Sequence, residues 1–182
     1  CPCCGGRWPP AAPPTSPTPP RMRASRPPAR SAAALYVAEH SSRIDGVMAG
    51  YMLLAKEQGL EVIERTKLRD KQAPFGETLA AVQALRFVWE YAGGIIGKER
   101  LTASMRILLD RPELADLIIA DLARWKDWSV QDRLVELYGQ EAYNVFEVKR
   151  AIVHYLHYST KDVPPGENEL PEHAVKGKRL LQ

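Results

Sequence analysis

From about residue 35 onward, apolar positions recur along the chain at steps of three and four. Leu79, Val82, Leu85, Val88, Trp89 and Ala92 form one run, and Leu101, Met105 and Leu108 a second. Leu114, Leu117, Ile118, Leu122 and Trp125 form a third, followed by Val130, Leu134 and Leu137. The last strong set is Val145, Val148, Ile152, Tyr155 and Leu156. At 3.6 residues per turn each run is one apolar stripe on a helix. No stretch alternates with period two long enough to make a strand, so the predicted class is all-α.

Helix boundaries are marked by their punctuation. Asp110-Arg-Pro-Glu113 and Asn144-Val-Phe-Glu147 have the form of capping boxes, with Leu109/Leu114 and Tyr143/Val148 as hydrophobic staples. Ser42-Arg-Ile-Asp45 and Ser129-Val-Gln-Asp132 are weaker versions. Gly59, Gly93-Gly94 and Gly139 follow apolar runs, where a left-handed cap is expected. Together these predict helices near 43–58, 60–68, 77–92, 98–109, 111–125, 129–138, 145–159 and 171–181. Taken in pairs, the first members start about 34 residues apart, the spacing of two-helix repeats. A pair that short cannot bury its apolar face alone, so neighbours must stack. The expected architecture is a short α-solenoid of about four antiparallel helix pairs.

Composition changes this picture at the N-terminus. Residues 1–34 hold ten of the fifteen prolines, five arginines and no acid, which predicts a disordered Pro/Arg-rich leader. The leader starts at Cys1 rather than Met, which suggests non-native or mis-called sequence. Residues 35–182 then read as the helical-repeat domain, expected to be a fragment of a longer solenoid. The pI of about 8.8 belongs to the leader, since the remainder holds 20 Lys/Arg against 22 Asp/Glu. A nucleic-acid partner is therefore not expected of the folded part. The longest nearly apolar stretch, Gly46 to Ala55, is too short to span a bilayer.

Candidate chemistry is sparse. His154 and His157 share a helical face and could supply two metal ligands, but no second His/Glu pair completes a set. Cys1, Cys3 and Cys4 offer three thiols without a fourth ligand or a scaffold. Trp125 and Trp128 flank Lys126 and Asp127 at a helix junction; beside Arg124 they could form an aromatic binding platform, though packing is the favoured reading. Gly46 and Gly50, four apart, are expected to let two helices approach closely. No nucleotide loop, Gly-x-Ser-x-Gly, His-Glu-x-x-His or Cys/His dyad is present, so no catalytic, cofactor-binding or metal residue is assigned.

Four segments carry a family resemblance: Ala84–Tyr91, Met105–Leu117, Ala120–Leu134 and Val148–Leu156. With weaker likeness at Ile44–Leu68 and Pro171–Leu181, the chain resembles the C-terminal part of a HEAT-like helical-repeat protein of planctomycete-type bacteria. The resemblance implies an α-solenoid and, for full-length relatives, export behind a signal peptide. It carries no activity and no functional residue. The expected function is a non-enzymatic scaffold or protein-interaction module, soluble and cytoplasmic by default, whose partner is another protein. Two alternatives remain at this point. One is a metal-binding or enzymatic protein using the His154/His157 face; the other is a HEAT-like DNA-repair glycosylase, which needs a positive concave surface.

Overall fold

The computed structural model describes residues 32–164 and 169–182, with side chains described from Ile44 onward. The expectation of a leader at residues 1–34 lies almost entirely outside the described residues. The described chain is all-α, with seven helices: α1 Ala32–Ile63, α2 Phe75–Tyr91, α3 Lys98–Arg106, α4 Ala115–Arg124, α5 Gln131–Tyr138, α6 Phe146–Lys161 and α7 Glu172–Leu180. A π-helical turn, Glu64–Leu68, extends α1, and 3-10 turns at Ile107–Asp110, Trp128–Val130 and Glu141–Tyr143 link later helices. Among the described residues no strand forms, and no helix is long and apolar enough to cross a membrane.

The break expected at Gly59 lies three residues earlier. Lys56 takes φ 53°, ψ −133°, and there a kink divides α1. Gly59 serves the fold differently: a Cβ on it would stand 3.0 Å from the Tyr51 carbonyl oxygen and 3.1 Å from Ala55 Cβ. The approach is tighter than a side chain meets without its neighbours shifting. At the end of α2 the expectation holds, since Gly94 has φ 103°, open to glycine and strained for other residues.

The capping boxes do not form. No side-chain cap accompanies α4 or α6, whose N-caps are Leu114 and Val145. Ser42 lies within α1 rather than at its start. The reason at α4 is competition for the same groups. Arg111 is buried and extended (φ −113°, ψ 100°), donating to the carbonyls of Asp70 and Ala73 and to the Thr78 hydroxyl. Asp110 accepts instead from Arg133 at 3.0 Å, and the helix starts four residues late. At the next junction Asp127 caps, accepting from the Ser129 amide at 3.3 Å. Gly139 keeps an ordinary φ of −85°.

One continuous core runs from α1 to α6, with Met52, Leu60, Leu85, Leu101, Met105, Ile118, Leu122 and Tyr155 fully buried. α1 packs on α2, α4 on α6, and α6 on α7. Arg86 reaches Asp121 at 2.6 Å and, one turn on, Trp89 stacks on Trp125, so α2 and α4 run in the same direction. Polar ties between elements span from 10 residues (Lys67–Glu77) to 44 (Asp132–Lys176), and several fall near the middle of that range. Thr78–Arg111 spans 33 residues, Leu109–Tyr143 34, Arg86–Asp121 35 and Glu64–Arg100 36.

α7 closes this packing over a buried polar cluster. Gln131 Nε2 donates to the Ser159 hydroxyl and to the His173 carbonyl, both at 2.9 Å. Gly177 sits against it: an added methyl would overlap Ser159 Oγ and stand 3.2 Å from Gln131 Nε2 and from the Leu156 carbonyl. Gly177→Ala is therefore expected to lower stability by about 1–3 kcal/mol. A urea titration checks this, and a loss under roughly 0.5 kcal/mol, the level of an ordinary surface change, would sink it.

Candidate groove between α4 and α6

A hollow of about 720 Å³ lies between α4 and α6. Small side chains open it: Ala120 and Ala123 on α4 face Ala151 on α6. Leu117, Tyr155 and Tyr158 give it an apolar, aromatic lining. Tyr155 is fully buried, and its hydroxyl donates to the Asp127 carbonyl. Burial pushes that phenol far up, so it stays protonated and fixed as a donor.

Charges line the rim. They are Arg124, Lys126, Arg150 and Lys161 with Asp116, Glu147 and Asp162. Asp162 is the most engaged. It accepts from Lys126 Nζ at 2.6 Å and from Trp128 Nε1 at 2.7 Å. The Lys126 bond, reinforced by that of Trp128, outweighs partial burial and holds this carboxyl below its usual range. Its backbone carbonyl lies 2.9 Å from His173 Nε2, which ties the groove end to α7. Lys126 reaches this position from φ 58°, an uncommon conformation for a side-chain-bearing residue. Beneath α4, Asp121 is buried and paired with Arg86 and Arg124. Burial there outweighs both arginines, and the carboxyl is raised.

The sequence candidates are distributed apart. His154 lines the groove, its ring edge-on to Tyr158 at 6.4 Å, whereas His157 is exposed and does not line it. Among the described residues no group of three or more His, Cys, Asp or Glu side chains could hold a metal. Cys1, Cys3 and Cys4 lie outside the described residues. Trp125 and Trp128 make no shared platform. Trp125 stacks on Trp89 at 4.1 Å and 8°, while Trp128 packs edge-on against Tyr155 at 5.1 Å.

Gly46 and Gly50 do not bring helices into contact. A Cβ on either would meet nothing within 4 Å. They open a second hollow of about 250 Å³ against Gln83, Ala84 and Phe87 of α2, because Ala49 and Met52 carry the packing on the neighbouring face.

Inspection of single helices misses Arg150, Tyr158, Lys161 and Asp162 as groove residues. They come to α4 only through the packing of α6 against it, which no local pattern records; the first residues of α2, α4 and α6 stand at 75, 115 and 146 rather than at an even spacing. No family model, no curated protein and no solved structure matches the chain.

Proposed function

We propose that this chain is a non-enzymatic protein-interaction module, a short HEAT-like stack of helix pairs whose α4/α6 groove takes a segment of another protein. The groove carries the reading: an open hollow of about 720 Å³ with an apolar lining and a charged rim. Such a surface suits an apolar anchor surrounded by polar contacts. Its carboxylate Asp162 is already committed to Lys126 and Trp128, which favours a structural over a catalytic use of it. Packing between near neighbours, α1 on α2, α4 on α6 and α6 on α7, supports the repeat reading.

Ala120 is exposed and lines the groove, so Ala120→Trp fills the hollow without entering the core. The variant is expected to unfold within about 0.5 kcal/mol of the parent chain. Cross-linking pull-down with the full chain should recover a partner that Ala120→Trp no longer retains. Equal recovery by both chains, or recovery by neither, rejects the groove as the binding site.

A further inference from the structure

The groove has an electrical direction. α4 and α6 meet beyond their C-terminal ends, where Lys126 pairs with Asp162. Asp116 and Glu147, in the first turns of the same two helices, both line the groove. The helices therefore run the same way, and the groove lining runs from a start holding Asp116 and Glu147 to an end holding Arg124, Lys126 and Lys161, of which Lys126 pairs with Asp162 and Arg124 with the buried Asp121. Arg150 stands one turn inside the acidic start, its guanidinium 5.8 Å from the Phe146 ring. Acids in first turns and bases in last turns offset each helix's own dipole. Here they also sum along one wall.

We propose that the partner segment is an amphipathic helix lying parallel to α4 and α6, with basic residues in its first turn and acidic residues in its last. This rests on the reading of the groove as a partner site. From Asp116 to Lys126 the wall is about 15 Å long at 1.5 Å per residue, room for about three turns of a ligand helix. Apolar side chains at i, i+3 or i+4, and i+7 would seat between Leu117 and Tyr158, over the gaps left by Ala120 and Ala151. The charges set the polarity. A ligand helix brings partial positive charge at its N-terminus and negative charge at its C-terminus. The first faces Asp116 and Glu147, and the second faces Arg124 and Lys161.

The same charge order has a consequence for the free partner. Bases in a first turn and acids in a last turn oppose a helix's own dipole. The segment is therefore poorly helical alone and becomes helical when seated, as in coupled folding and binding.

The test is a phage-displayed library of 14-residue peptides with a fixed apolar stripe and Lys, Glu or Ser randomised in the first and last turns. It is panned against the full chain and counter-selected on Ala120→Trp. Expected winners carry Lys first and Glu last, bind about tenfold more weakly to Lys161→Glu, and gain helical circular dichroism on binding. Winners that depend on Ala120 but show no charge order, or the reverse order, overturn the polarity and leave the groove reading standing. A selection with no Ala120-dependent winner overturns both.

Discussion

Trp125→Ala is expected to destabilise the protein by about 3–5 kcal/mol, the cost of removing a large ring from a close-packed interior. Trp125 follows the last turn of α4, its amide donating to the Asp121 carbonyl at 2.8 Å. Its ring is 9% exposed and lies nearly parallel to Trp89, 4.1 Å away. Lys98 Nζ stands 5.0 Å from the same Trp89 ring, a cation–π contact from the start of α3. Truncation opens a hole where three helices converge. Trp89 is only half-buried, so Trp89→Ala is expected to cost less. Urea unfolding of both single variants and the double variant should give a coupling of about 0.5–1.5 kcal/mol for the ring pair. Additive losses would mean that the stack is incidental.

The second large effect is at Glu64. Its carboxylate is nearly buried in the π-helical turn, where it accepts two bonds from Arg100, one at 2.9 Å, and another from Ser104. Glu64→Ala strands those donors and is expected to cost about 2–3 kcal/mol. That is below the usual figure for breaking a buried pair, because Arg100 is 36% exposed and can turn to water. Burial acts to raise the Glu64 carboxyl, but the bonds from Arg100 and Ser104, with the Arg100 charge, outweigh it and hold it below its usual range.

The sign follows from linkage. A depressed carboxyl stabilises the fold above its unfolded pKa, and that contribution is lost as pH falls through the lower folded value. Asp121, raised by burial, works in the opposite sense; its contribution is present at low pH and lost as pH rises through its folded value. Stability of the parent chain and Glu64→Gln, measured from neutral pH down through the carboxylate range, should therefore converge toward acid. A constant gap would exclude the Glu64 charge as the cause.

Much of the helical layout is legible in local sequence because apolar periodicity is a local property. The apolar run ending at Ala92 predicts 77–92, against Phe75–Tyr91 in the structure, and the set around Ile152 predicts 145–159, against Phe146–Lys161. Caps are less legible, because a capping side chain has competitors elsewhere in the fold. Asp110 is taken by Arg133 and Arg111 is drawn inward to Thr78, so the box written at 110–113 goes unused. The groove is illegible from any single helix. Ala120 and Ala151 look like ordinary helix formers until α4 and α6 are set side by side. Gly177 likewise reads as a weak point of a helix until Ser159 is placed beneath it.

The ties between elements reach only a short way along the chain, and that bears on how the molecule opens. Thr78–Arg111, Leu109–Tyr143 and Glu64–Arg100 each join a segment to one about a helix pair away. With no dependence on bringing distant ends together, loop-closure entropy is small and folding can begin at several places along the chain. Opening then proceeds inward from the margins. Amide exchange should be fastest in α7, which rests mainly on α6, and slowest around Ile118, Ile119 and Leu122, flanked on both sides.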